Sequence, residues 1–188
     1  IIMSPSDEME LKNMIRPCAK YDDGPTCLRY PRGSGYGPEK LHKLFGYDEE
    51  AISTHSAEVI EMGKGRIVRK GGNQLLLGAN IEYLEQANGE SQRGKDKKNR
   101  VCILSLGTRL HESLVAANDI EAADPDIAVT VADARFMKPL DIDLIRELAV
   151  DNSVMITIEE GSIGGFGDHV LHFLTLDGLM DDGDLKFR

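Results

Sequence analysis

Residues 101–179 alternate apolar runs of strand length with segments of helical periodicity, and this alternation limits the fold more than any other feature. The runs are residues 101–106, 127–132 and 154–158, and a helical pattern follows each of them. Strands that alternate with helices pair in parallel, because each helix returns the chain to the same end of the sheet. The pattern therefore predicts an α/β domain with a mostly parallel sheet that helices cover on both faces.

Three helix starts in this region are predicted from residues that favour the first turn. Thr108 and Asp141 are placed to cap two helices, and Asp168 opens a third after the glycine-rich residues 161–167. The apolar faces of the three helices are predicted to contain Leu110, Leu114 and Val115, then Leu144, Ile145 and Leu148, and then Val170, Leu171 and Leu174. We expect these faces to pack against the sheet.

Residues 1–37 have the pattern of a strand, a helix and a second strand. Residues 1–3 and 26–30 are strand-like, and Ser6 is placed to cap the helix between them. The helix is predicted to bury Leu11, Met14, Ile15 and Cys18, and to kink or end at Pro17. This order predicts a βαβ unit and therefore a parallel pair of strands.

Residues 38–100 are predicted to connect these two regions. Within them, residues 65–70 and 74–77 can form a short hairpin across a turn at 71–73. Residues 89–100 contain no strongly apolar side chain, so we expect a mobile surface loop there.

The charge of the chain argues against nucleic acid as a partner. The net charge is -10, from 32 acidic and 22 basic residues, whereas binding to a phosphate backbone needs a basic face. No apolar run approaches the about 20 residues that span a bilayer, so no membrane partner is expected. Both ends of the sequence have the character of cut ends, and we expect the parent protein to be longer.

The three cysteines favour a reducing compartment. Cys18, Cys27 and Cys102 are odd in number, and their spacing matches no metal site. Cys27 and Cys102 lie in apolar runs, where a buried free thiol is expected.

The best candidate site is the sequence from Leu28 to Gly33, at the end of a predicted parallel strand. Ligands of open α/β sheets bind at the carboxyl ends of such strands. Arg29 and Arg32 bring guanidinium groups to that position, and arginine suits phosphate because its planar fork donates two parallel charged hydrogen bonds. Spacing alone leaves open the alternative of surface arginines that pair with neighbouring acids.

Three other patterns are weaker candidates. Residues 161–167 can cradle an anion or a dinucleotide, but a tight strand-to-helix turn is the favoured interpretation because Glu159 and Glu160 precede them. Those two carboxylates point to opposite faces of a strand and do not easily share a substrate. His169 and His172 have metal-compatible spacing without an evident third ligand, so no metal site is predicted.

Seven stretches in family order give the sequence a resemblance to a known enzyme family. They are residues 3–8 (MSPSDE), 23–25 (DGP), 29–33 (RYPRG), 63–65 (GKG), 103–108 (ILSLGT), 133–141 (DARFMKPLD) and 159–167 (EEGSIGGFG). In these stretches the chain resembles the 1-deoxy-D-xylulose-5-phosphate synthases, which are transketolase-like enzymes that depend on thiamine diphosphate.

The resemblance implies a division of the chain into three parts. Residues 1–37 would end a parallel-sheet pyrimidine-binding domain, and residues 38–100 would be a linker with a hairpin and a disordered insertion at 71–100. Residues 101–188 would be a truncated three-layer α/β domain like the transketolase C-terminal domain. Its mostly parallel sheet agrees with the pattern of strands and helices.

The resemblance also implies a function for the parent protein. The family condenses pyruvate with glyceraldehyde 3-phosphate, loses CO2 and supplies isoprenoid and thiamine synthesis, with thiamine diphosphate and Mg²⁺ as cofactors and a homodimer as the expected assembly. Arg32 would contact the substrate phosphate, and Arg29 would be a second contact. Catalytic, cofactor-binding and metal-binding residues would lie upstream of Ile1, so the chain alone is expected to be inactive.

A plastid stroma or a bacterial cytoplasm would be the compartment. The alternative function is a non-catalytic α/β module that binds a partner or a regulator.

Overall fold

Two β-sheets form the framework of the chain in the computed structural model, which describes residues 1–45, 47, 52, 60–71, 96–161 and 163–188. The strands are β1 (Ile2–Met3), β2 (Cys27–Leu28), β3 (Arg66–Arg69), β4 (Arg100–Ser105), β5 (Ala128–Asp133), β6 (Phe136–Lys138), β7 (Val154–Ile158) and β8 (Lys186–Phe187). The helices with defined bounds are α1 (Glu8–Cys18), α2 (Pro38–Phe45), α3 (Leu110–Ala123), α4 (Ile142–Asp151) and α5 (Phe166–Leu176).

The larger sheet has the strand order β3-β5-β4-β7-β8. β5, β4, β7 and β8 are parallel to one another, whereas β3 runs antiparallel along β5 at the edge. All six residues of β5 are buried, as expected for an inner strand that is covered on both faces. The predicted α/β class with a mostly parallel sheet is confirmed.

Helices cover both faces of this sheet and give it three layers. Because successive strand residues point to opposite faces, β4 contributes Cys102 and Leu104 to one apolar cluster and Ile103 to another. α4 and α5 pack on the first cluster, and α2 and α3 pack on the second.

The smaller sheet has the order β2-β1-β6 and carries the predicted βαβ unit. β1 and β2 pair in parallel, with Ile2 opposite Cys27, whereas β6 pairs antiparallel with β1. Met3, Met14 and Phe136 are fully buried together beneath this sheet. The C-terminal part of the sequence therefore supplies a strand to the sheet that the N-terminal part begins.

Three predicted helix starts are wrong by one or two residues. Asp7, not Ser6, caps α1, and its Oδ1 accepts hydrogen bonds from the amides of Met9 and Glu10. A 3₁₀ turn at Gly107–Arg109 delays α3, so Thr108 is not its cap, and no side chain caps that helix. α5 begins at Phe166, before Asp168. The predicted cap at Asp141 is confirmed, because its carboxylate accepts from the amide of Leu144.

Some predicted apolar positions are exposed. Ile15, Val115 and Leu171 face solvent, although Met14, Leu110 and Val170 of the same three sequence patterns are buried. Cys27 is exposed because β2 is the edge strand of the smaller sheet, whereas Cys102 is buried as predicted.

The residues predicted to connect the two regions are described in part. β3 lies within the predicted first arm of the hairpin and pairs with β5, whereas the second arm at 74–77 and most of the predicted loop at 89–100 lie outside the described residues. The division into 1–37, 38–100 and 101–188 stays a prediction. No helix in the described ranges is both long and apolar enough to cross a bilayer.

Candidate functional site

A cleft of about 590 Å³ lies where the carboxyl ends of parallel strands from both sheets meet. Its lining follows β1 (residues 5–8), β2 (residues 30–36), β4 (Thr108 and Arg109) and β7 (Glu160), with Leu11 of α1 and Lys40 of α2. This is the end of a parallel sheet at which ligands of α/β proteins bind.

Arg32 is an exposed side chain that lines this cleft, as the sequence predicts. Lys40 reaches the same cleft from α2. Neither cation forms an ion pair with any carboxylate in the described part of the chain, so their hydrogen-bond donors remain available to a ligand.

The carboxylates of the cleft, by contrast, are engaged with groups of the protein. Glu8 Oε1 accepts a hydrogen bond of 2.8 Å from the amide of Gly37, which ties the loop after β2 to α1. Asp7 caps α1, and Glu160 forms an ion pair with Arg109. Arg32 and Lys40 are thus two exposed cations of the cleft without an ion pair in the described part of the chain, whereas Glu8 Oε2 is buried without a hydrogen-bond partner there. The two exposed cations favour an anionic ligand.

Asp7 is the most perturbed carboxyl group of the cleft. Burial raises its pKa to about 6, with a further increase from Glu10, against hydrogen bonds and the charge of Arg66 that lower it. Its Oδ2 accepts hydrogen bonds from the hydroxyls of Ser6, at 3.1 Å, and Tyr47, at 3.3 Å. Burial likewise raises the pKa of the Tyr47 hydroxyl, so this group remains a neutral donor.

Arg109 and Glu160 form an ion pair in the cleft. Arg109 follows β4 and Glu160 follows β7, so this side of the cleft is formed by the larger sheet. The hydrogen bond from Arg109, opposed by partial burial, lowers the pKa of the Glu160 carboxyl, and Thr108 and Arg29 lower it further. Glu160 is therefore an anion at neutral pH and does not serve as a proton donor.

Arg29, the second predicted contact, lies beside the cleft instead of in its lining. Its amide donates to the carbonyl of Met3 in the pairing of β1 and β2. Its side chain is exposed, and its charge acts on Glu160. The structure thus separates the two predicted arginines: Arg32 lines the cleft and Arg29 adjoins one of the carboxylates in its wall.

A buried charge cluster of Glu10, Arg66, Asp133 and Arg135 joins α1 to the larger sheet next to the cleft. Glu10 has no exposed surface and accepts from Arg135 Nε at 2.8 Å and Nη2 at 2.9 Å, and it pairs with Arg66 at 3.1 Å. Arg66 also contacts Asp133 at 3.4 Å. Burial opposes the charge of Arg66, but Glu10 and Asp133 raise the pKa of its guanidinium above the ordinary value.

Arg135 reaches Glu10 from the turn between β5 and β6, where its backbone has a φ of 58°. This left-handed conformation is uncommon for a residue with a side chain, and the amide of Arg135 is held there by Asp133 Oδ1 at 3.1 Å. The turn thus directs Arg135 at α1, across the junction of the two sheets.

The glycine-rich loop uses its amides within the protein. The amide of Gly164 donates to Asp168, and that of Gly167 donates to Glu159 at 3.1 Å. The loop is therefore a strand-to-helix turn, which agrees with the favoured interpretation of the sequence. In the described ranges, no group of three His, Cys, Asp or Glu side chains is placed to hold a metal ion, and His169 and His172 are no exception.

Sequence reasoning missed Lys40 and Arg109 as residues of the cleft, as well as the buried charge cluster. A signal for Arg109 did exist in the order of strands, since it follows β4 as Arg32 follows β2. Lys40 carries no such signal, because only the meeting of the two sheets brings its helix to the cleft.

These features define an α/β protein with a ligand cleft at the carboxyl ends of parallel strands. Residues 89–187, just over half of the chain, match the family described as Transketolase, C-terminal domain. The chain belongs to this family.

A solved structure has a similar fold. It is described as "Split gene transketolase, inactive beta4 tetramer", and it aligns with a TM-score of 0.64 at 22% sequence identity. The match covers 94% of this chain and 44% of that chain. The chain therefore spans less than half of the length of that protein, and the likeness concerns the fold.

Proposed function

We propose that the chain is the C-terminal part of a thiamine-diphosphate-dependent 1-deoxy-D-xylulose-5-phosphate synthase and that its cleft binds the phosphate of glyceraldehyde 3-phosphate. Membership of the transketolase C-terminal family supports a thiamine-diphosphate enzyme. The seven sequence stretches from residue 3 to residue 167 support the particular synthase, with pyruvate as the other substrate.

The observation that carries the proposal is the position of Arg32. This guanidinium follows a parallel strand, lines the cleft with an exposed side chain, and has no ion-pair partner among the described residues. A planar guanidinium group without an ion-pair partner can bind a phosphate group through two parallel charged hydrogen bonds.

The described residues show no side-chain cluster that fits the Mg²⁺ of thiamine diphosphate. No three His, Cys, Asp or Glu side chains among them are placed to hold a metal ion, and Glu160 of the cleft is paired with Arg109. We propose that other parts of the enzyme bind the cofactor. A homodimer in a plastid stroma or a bacterial cytoplasm belongs to the same proposal.

In this proposal Arg32 acts on the part of the substrate that does not react. Holding the phosphate fixes the direction from which the aldehyde carbon of glyceraldehyde 3-phosphate enters the active site. Binding energy from the remote group then lowers the entropy cost of aligning the two reactants. Lys40 adds positive charge to the same cleft.

The test is Arg32→Met in the full-length enzyme that contains this chain. Losing a charged hydrogen-bond pair to phosphate is worth about 1.5–3 kcal/mol, so KM for glyceraldehyde 3-phosphate should rise about tenfold to a hundredfold. KM for pyruvate should change little. Arg146→Met is the matched control, because Arg146 is a partly exposed arginine on α4 whose ion pair with Asp177 is remote from the cleft lining. Equal increases for both substrates would contradict the proposal.

A further inference from the structure

Arg109 is the cation of the cleft that comes from the larger sheet, whereas Arg32 follows the smaller one. Its guanidinium contacts two carboxylates: Nη2 pairs with Glu160, and Nη1 pairs with Glu112 at 3.3 Å. The side chains of Arg109 and Glu160 are 43% and 33% exposed, so water and ligands reach the pair.

The two contacts leave Arg109 with donors to spare. A guanidinium has five N–H groups, and one hydrogen bond to each carboxylate uses two of them. Arg109 can therefore turn toward an anion in the cleft without leaving Glu112. Exposed ion pairs contribute little stability, so Arg109 loses little free energy when it exchanges Glu160 for a doubly charged phosphate.

Glu160 is 33% exposed, so water reaches its carboxylate after this exchange. The Thr108 side chain and the charge of Arg29 both lower the pKa of its carboxyl, in addition to Arg109.

We propose that Arg109 is a second phosphate-binding residue of the cleft and that Glu160 is an internal competitor which the phosphate displaces from it. This inference rests on the proposed phosphate site and adds a second residue to it. Because Arg32 and Arg109 belong to different sheets, a phosphomonoester held by both would bridge the two halves of the chain.

The proposal predicts opposite effects at the two ends of one ion pair. Inorganic phosphate and glycerol 3-phosphate are titrated into the 188-residue chain at low ionic strength, with affinity measured by calorimetry or by amide chemical shifts. Arg109→Met should weaken binding about tenfold or more, the value of a charged hydrogen bond. Glu160→Gln should tighten binding about threefold or more. If both changes leave the affinity unaltered, or shift it in one direction, the pair is only structural.

The double variant separates exchange from simple repulsion between Glu160 and the ligand. In the Arg109→Met background, Glu160→Gln should lose most of its tightening effect, because the cation that it would release is gone. An undiminished effect would overturn the exchange. Arg109→Lys keeps the charge without the fork, so it should bind phosphate between wild type and Arg109→Met.

Two further sets of variants distinguish the two proposals from each other and from an effect on folding. Arg32→Met tests the proposed function. If Arg32→Met abolishes phosphate binding and Arg109→Met does not weaken that binding, the phosphate site is supported and the role of Arg109 is refuted. If neither change matters, both proposals fail. Arg146→Met and Asp177→Asn alter an ion pair between α4 and the C-cap of α5, and they should leave phosphate affinity unchanged. Thermal unfolding of each variant verifies that it is folded.

Discussion

Replacing Glu10 with glutamine removes one negative charge from the buried charge cluster and keeps the size of the side chain. Glu10 is fully buried and meets Arg135 at 2.8 and 2.9 Å and Arg66 at 3.1 Å. Two guanidinium groups would lose their shared carboxylate, and the amide nitrogen would face N–H donors. Breaking a buried ion pair by removing one partner costs about 3–5 kcal/mol, so we expect a loss of this size in the free energy of unfolding.

Urea denaturation and thermal unfolding measure this loss. In a chain of about 150–250 residues each kcal/mol shifts Tm by about 2–4 °C, so Tm should fall by about 6–20 °C. Glu112→Gln is the control: it loses a 3.3 Å pair with Arg109, but the Glu112 side chain is 57% exposed. The control should cost less than about 1 kcal/mol. If Glu10→Gln costs no more than this control, the cluster does not hold α1 to the larger sheet.

Three other predictions concern single residues. Asp7→Asn should keep the cap of α1 and stabilise the protein above pH 6, because burial raises the pKa of Asp7 from 3.8 to about 6. The Asp7 contribution is thus present below pH 3.8 and lost as the pH rises through about 6, an effect of about 3 kcal/mol. Gly107→Ala should cost more stability than Gly37→Ala: both have positive φ, but only at Gly107 would a Cβ lie 2.4 Å from a side-chain oxygen. Native Cys27 should react with a thiol reagent and Cys102 should not, because burial raises the pKa of the Cys102 thiol to about 12.

Each of these predictions has an outcome that contradicts it. For Asp7, wild type and Asp7→Asn would show the same pH dependence of unfolding between pH 4 and pH 7, whereas Asp7→Ala should lose the cap at all pH values, at a cost of about 1 kcal/mol. For the glycines, equal losses in urea denaturation would mean that the close contact at Gly107 relaxes freely. For the cysteines, two native thiols with equal reaction rates would contradict the burial of Cys102.

The sequence predicts the larger sheet well because its inner strands are long apolar runs. β4, β5 and β7 agree with the predicted runs to within one residue at either end. β6 and β8 have only three and two residues, and pairing with β1 and β7 defines them more than their own composition does. Short strands of this kind carry no periodicity from which they can be predicted.

The predicted apolar face of α1 shows how tertiary contacts override a pattern. Ile15 is exposed and Glu10 is buried, because Arg66 and Arg135 draw Glu10 to the junction of the sheets. A buried glutamate cannot be recognised from helical spacing, since its partners lie about 56 and 125 positions away along the chain.

The candidate site was predictable in part. Arg32 follows from a rule about the ends of parallel strands and needs no knowledge of the second sheet. Lys40 and Arg109 enter the cleft only because β1 and β2 meet the carboxyl ends of β4 and β7. The two sheets are joined by β6 and by the buried charge cluster, and neither was predicted from the sequence.

A crystal structure of the chain with glycerol 3-phosphate tests the central claim most directly. We predict that the phosphate lies in the cleft between β2 and β4, with at least one oxygen within about 3 Å of the Arg32 guanidinium. Phosphate bound elsewhere, with Arg32 turned out of the cleft or paired with a carboxylate of the protein, would contradict the assignment of Arg32 as the phosphate-binding residue.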